Sequence, residues 1–194
     1  LISGVPLVPE AVNHEPLISQ TAAYNGRPVL DIRGATAGNY RSLISPALTE
    51  QAQPITVYAA AHSVSNPANG ILVVGSPALR TPQIGTASTA VYLYAGGAGA
   101  ITSATGVIGT SPAAWCGVLN GAASAVYYND FATAKASGNA GANAMDRITV
   151  GASSWNLGAY SFDGYVAEIL VRSGADSAAI RAQNRAYFLA RYGI

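Results

Sequence analysis

Charge is what this chain has least of. Lys and Arg number 10 and Asp and Glu 9 among 194 residues, 10% of the chain, where roughly a quarter is usual. Lysine occurs once, at Lys135, and the arginines are scattered. No basic run exists to follow a phosphate backbone, which argues against a nucleic-acid groove. No apolar run reaches the roughly 18 residues a membrane-spanning helix requires. One cysteine, Cys116, excludes an internal disulfide; beside Trp115 and close to Val118 it reads as a buried small hydrophobe, not a nucleophile. The start has no charged n-region and no Met, as in a trimmed chain or a domain of a longer one.

The acids are also too few and too dispersed for chemistry. A retaining glycosidase needs two carboxylates roughly 5–5.5 Å apart across the scissile bond. No Asp/Glu pair here has i, i+2 spacing, and Asp163 and Glu168, five apart, point to opposite faces of a regular strand. Glu168 therefore reads as structural, accepting a hydrogen bond near a sheet edge. His14 and His62 have no acidic partner that would build a triad or a metal set. The stretches Asn129-Asp130 and Asn143 to Asp146 lack the clustered Asp-x-Asp of a calcium cage and read as turns. Gly96-Gly97-Ala98-Gly99 lacks the Lys-Ser/Thr finish of a phosphate loop. No catalytic residue, metal or other cofactor is expected.

What the chain does have is hydrophobic content of 50%, 21 glycines and 11 tyrosines, with mean hydropathy +0.26. So little charge leaves little repulsion between copies; it fits a surface partly covered in an assembly and equally an alanine-rich domain from a GC-rich organism. Strand patterns recur at 29–33, 40–44, 55–63, 71–75, 90–95, 114–119, 125–128, 147–151 and 165–172. In 55–63, Ile55, Val57, Ala59 and Ala61 alternate with Thr56, Tyr58, Ala60 and His62. Asn69-Gly70 and Asn120-Gly121 are hairpin-type turns. Such spacing predicts an antiparallel sandwich, all-β in class. Residues 1–23, with Pro6, Pro9 and Pro16, read as an extended N-terminal arm or edge-hugging segment. Residues 24–194 form the sandwich domain. The loops gather a candidate ligand set of aromatic and amide groups: Tyr127, Asn129 and Asp130 in one, Trp155, Asn156 and Tyr160 in another. These types suit the faces and hydroxyls of a sugar ring, and equally a protein interface.

The last 33 residues carry the most. Tyr165, Ala167, Ile169 and Val171 alternate with Val166, Glu168, Leu170 and Arg172. Gly174 breaks the strand, Ser177 can cap a helix, and Ile180, Asn184, Tyr187, Phe188 and Arg191 recur at helical spacing. Phe162, Gly164, Val166, Ala167 and Glu168, then Ser177-Ala178-Ala179 and Tyr187, Arg191, Tyr192 and Gly193, resemble the C-terminal end of laminin-G-like, concanavalin A-like jelly-roll domains of bacterial and phage surface proteins. The segment 147–152 resembles the strand before it, and 25–30, 39–40 and 53–58 the family's early core strands. The stretch 76–120 matches by composition only, and Asp176 and Asn184 stand where the family has apolar residues. The resemblance implies a concanavalin A-like jelly-roll sandwich of two antiparallel sheets with one short C-terminal helix. It also implies a non-catalytic role on a phage virion, as a tail or fibre adhesion module or a head decoration protein. Its partners would be other virion proteins or domains of a parent chain, and cell-surface glycan, in multiple copies. The alternative is an extracellular carbohydrate-binding module of a larger bacterial enzyme.

Overall fold

The computed structural model describes residues 8–9, 16–20, 22–33, 41–65, 70–75, 82–96, 99–151 and 161–194. Among these, the strands in chain order are β1 (Val8–Pro9), β2 (Leu17–Gln20), β3 (Pro28–Asp31), β4 (Leu43–Ile44), β5 (Ile55–Ser63), β6 (Gly70–Val74) and β7 (Gln83–Ala87). Then come β8 (Ala90–Tyr94), β9 (Ile101–Thr102), β10 (Ala113–Leu119), β11 (Ser124–Tyr128), β12 (Ala136–Gly138), β13 (Thr149–Val150) and β14 (Gly164–Ser173), followed by helix α1 (Ala178–Tyr192). The first sheet has the order β1-β4-β13-β6-β7-β8-β9 and the second β12-β11-β10-β5-β14-β3-β2. All pairings between them are antiparallel. The expected sandwich with one C-terminal helix is what forms. The described parts of residues 1–23 lie at edges: β1 ends the first sheet and β2 the second.

Alternation builds the core. Ile55, Val57, Ala59 and Ala61 of β5 face inward, against Leu72 and Val73 of β6, Ile84 of β7, and Val91 and Leu93 of β8. Trp115 is fully buried there, meets Tyr128 and Phe162 edge-on, and donates its indole N–H to the Ala61 carbonyl at 3.2 Å. The sheets approach so closely that a Cβ on Gly117 would lie 2.8 Å from Leu93 Cδ1. The opposite face of β5, through Tyr58 and Ala60, joins Cys116, Phe131 and Phe188 in a second cluster beneath α1. Cys116 is buried in it, and burial pushes its thiol pKa upward.

Three expectations need correction. Asn69-Gly70 does not join a hairpin, because β5 and β6 belong to different sheets. The patterns at 40–44 and 147–151 shorten to Leu43–Ile44 and Thr149–Val150 among the described residues. The faces of β14 are not the regular alternation. Its register against β5 shifts between Val166 and Glu168, so Ala167 is an extra, bulged residue. Val166, Ile169 and Val171 then face the core, while Tyr165, Ala167 and Leu170 pack on the helix side.

Helix α1 starts at Ser177, whose side chain accepts from the Ile180 N–H, and ends at Gly193 in the left-handed region, φ 73°, as a C-terminal cap requires. Phe188 is fully buried and Tyr192 nearly so. Tyr187 is 39% exposed and holds the helix through its hydroxyl, which donates to Glu168 at 2.8 Å. The Tyr192 hydroxyl donates to the same carboxylate at 2.6 Å, and burial, then this bond, pushes its pKa up to about 12. Asp176 is buried too. Its carboxylate accepts from the Tyr58 hydroxyl at 2.7 Å and lies 2.9 Å from Arg172 Nε, while its N–H donates to Thr56 Oγ1. The polar residue at the family's apolar position is thus a polar anchor for the start of the helix.

Candidate functional site

The outer face of the first sheet is built by the residues that alternate with its core. In β7, Ile84 points inward, so Gln83, Gly85 and Ala87 point out. In β8, Val91 and Leu93 point inward, so Tyr92 and Tyr94 point out. The two strands form a hairpin closed by Ser88 and Thr89, in register from Ala87↔Ala90 to Gln83↔Tyr94. Ser88 takes φ 57°, a left-handed value for which glycine is the usual choice. β9 then sets Thr102 beside Tyr92 on the far side. The residue across from Tyr92 on β7 is Gly85, and the ring packs against Ala87 of that strand.

The result is an open groove of about 430 Å³ between Gln83, Ala87, Tyr92, Tyr94 and Thr102, with Gly99 and Ala100 from the β8–β9 connection. Its size falls within the roughly 300–1,000 Å³ of small-molecule sites. Tyr92 forms the floor with 7% of its surface exposed, and its hydroxyl donates to Gln83 Oε1 at 3.0 Å, which fixes the ring and the carboxamide together; the more accessible ring is that of Tyr94. Tyr94, half-buried, and Thr102, exposed, line the more open part. None of the seven strands of this sheet contains Asp, Glu, Lys or Arg.

The residues singled out in the sequence lie elsewhere. Tyr127 is 7% exposed, with the Arg181 guanidinium 4.4 Å from its ring centre, so its ring serves the helix interface instead of presenting a platform. Asn129 is exposed, at φ 60°. It closes the end of β11 by accepting from the Ala114 N–H through Oδ1, and its carbonyl accepts from Arg185 Nε. Asp130 is exposed, and the Ala132 N–H on its carboxylate holds its pKa below the ordinary carboxylate value. Trp155, Asn156 and Tyr160 lie outside the described residues. The segment that contains them leaves from Gly151 and returns at Ser161, where the Phe162 N–H donates to the Gly151 carbonyl at 2.7 Å. By strand register, that point and Asn129 share one end of the sandwich.

The groove was missed because its residues fall within 76–120. Its signal was the alternation of Tyr92 and Tyr94 with Val91 and Leu93. Among the described residues no three of His, Cys, Asp and Glu come together as a metal set. The acids of the second sheet and helix are engaged in holding structure: Glu168 and Asp176 as above, and Asp31 by Arg33 at 2.8 Å. Hydrogen bonding from Arg33 holds the Asp31 carboxyl below its usual pKa.

No family model matches the chain, and a sequence search of curated proteins gives no match. Solved structures do resemble it. The binding domain of botulinum neurotoxin serotype D/C superposes with TM-score 0.63 at 9% identity, over 95% of this chain and 47% of that one. Domain 4 of an extracellular arabinanase from Geobacillus stearothermophilus, solved with arabinotriose, gives 0.60 at 16% identity, over 86% of this chain and 80% of that one. A heptameric SAP-like pentraxin from Limulus polyphemus gives 0.58 at 14% identity, over 78% of each. Identities this low speak for the fold alone. The fold is a concanavalin A-like jelly roll.

Proposed function

We propose that this chain is a non-catalytic glycan-binding module whose site is the groove of Tyr92, Tyr94 and Gln83. The observation that carries the reading is the pair of tyrosines two residues apart on an outer sheet face, with a carboxamide already fixed against one of them. Aromatic rings meet the apolar face of a sugar, and amide and hydroxyl groups meet its oxygens. The arabinotriose-bound arabinanase domain of the same fold supports it. Titration with a panel of oligosaccharides tests it: at least one should bind, and Tyr94→Ala should weaken that binding at least about tenfold, or about 1.4 kcal/mol. Purified protein should release no reducing sugar from any ligand it binds, because Glu168, Asp176 and Asp31 are committed to structural contacts. Turnover lost on Glu168→Gln would refute the non-catalytic reading.

The setting we propose is a phage virion surface, with other virion proteins as partners. Two observations favour an assembled, multi-copy state: the low charge, and Leu17 and Ile18 on the edge strand β2, 54% and 80% exposed. The rim residues Asn129 and Asp130, with Trp155, Asn156 and Tyr160, are proposed as a secondary recognition surface. The alternative setting is an extracellular module attached to a larger enzyme. Copy number in native particles separates the two, since a free monomer retained on glycan would leave only the second.

A further inference from the structure

Resting on the glycan-binding reading, we infer that the groove takes an uncharged sugar and rejects acidic ones. The argument begins with charge. Across residues 51–129 the one formally charged residue is Arg80, and the groove is lined by tyrosine, glutamine, threonine, alanine and glycine. A carboxylate or sulfate carried into this groove would lose water, and none of the described lining residues is a cation to replace it. A hydroxyl loses far less, and amide and hydroxyl groups can replace its hydrogen bonds.

The second sheet shows the contrast. There Asp31, Glu168 and Arg172 stand on strands, and each has a charged or hydroxyl partner. The charged side chains on these strands are thus engaged within the fold, on the other side of the sandwich. The groove is also shaped before a ligand arrives. The Tyr92–Gln83 bond fixes ring and carboxamide, and Ala87 packs against the ring from β7. Groups already in place lose little freedom on binding. Selection then comes from apolar ring faces and neutral hydrogen bonds.

The test is calorimetric titration of the intact chain with neutral pentose and hexose trisaccharides and with uronic-acid trisaccharides of matched linkage, at about 50 and about 500 mM salt. The expected result is that a neutral trisaccharide binds, that its affinity changes less than about twofold between the two salts, and that the acidic counterpart binds at least about tenfold more weakly. Tyr94→Ala, at a half-buried position, should abolish most of this binding with the circular dichroism spectrum unchanged. Thr102→Arg, at an exposed position, should raise the affinity for the acidic sugar and make it fall with salt. Equal or tighter binding of the acidic sugar, or neutral binding untouched by Tyr94→Ala, would overturn the inference and leave glycan binding standing. No binding of any sugar in the panel would overturn both.

Discussion

The two outer faces of this sandwich solve opposite problems with the same alternation of residues. On the second sheet, outward residues of β5, β10 and β14 share one cluster with a helix. The contacts are aromatic rings, a carboxylate shared by two tyrosines, and a buried aspartate held by Tyr58. On the first sheet, every second residue of β7 and β8 meets no helix among the described residues, and two tyrosines, Tyr92 buried and Tyr94 half-buried, line an open groove. The covered face holds ionisable groups because each can be partnered within the fold. The open face has no Asp, Glu, Lys or Arg on its strands, so the surface they offer is neutral. Large residues on an outer face therefore do not define their own role. Tyr58 and Tyr92 are both outward-facing strand tyrosines with hydroxyls donating to a side-chain oxygen. One is a brace under a helix and the other the floor of a site.

Mutations on the two faces should accordingly separate stability from binding. Phe188→Ala should have the largest effect on stability, a loss of about 3–5 kcal/mol from its fully buried position, read by denaturant unfolding. A loss below about 1 kcal/mol would mean that the helix contributes little to the fold and that the contrast between the faces is overstated. Asp176→Leu should cost about 1–3 kcal/mol because the Tyr58 hydroxyl and Arg172 lose their partner. Faster amide exchange in the first turn of α1 would report it. Tyr94→Ala should change stability by less than about 1 kcal/mol, measured alongside its loss of ligand affinity.

The smallest expected effect is a pH dependence. Burial lowers the pKa of His62, with Arg33 pushing the same way and a backbone hydrogen bond to Thr110 opposing. Its folded pKa lies below the unfolded value of about 6.5, so the unfolded chain binds the proton first. Stability is full above that value and falls as pH drops through the lowered folded pKa. Replacing His62 by Gln should flatten this part of a stability–pH profile. Sugar binding by the open face should stay level over the same range.

How much of this could be read beforehand depended on local pattern. β5 was legible to the residue, since its alternation and its bounds at Ile55 and Ser63 are both in the sequence. The helix was legible through Ser177 and its spaced apolar residues. β7 was not, because Gln83-Ile84-Gly85-Thr86-Ala87 has one strong strand former and its turn has Ser88 where glycine or asparagine would announce a hairpin. Without β7 the groove had no second wall, and the tyrosines of β8 could only be read as half-buried sheet residues. The anchor at Asp176 was equally hidden, since its partner Tyr58 lies 118 positions away in the chain.

The bulge in β14 has a consequence for how the strand tolerates changes of length. Val166 is paired with Ala61 and Glu168 with Ala60, neighbours in β5, so Ala167 fills no rung of that ladder. Removing this one codon would leave Val166 facing in, Glu168 facing out and every other pairing of β14 with β5 unchanged. Removing Ile169 or Leu170 would turn each residue on one side of the gap to the wrong face. A single-residue deletion scan across Gly164–Ser173 should therefore show one tolerated position within an intolerant strand. Folding of the Ile169 deletion as readily as that of Ala167 would mean that register here is not set by the pairing with β5.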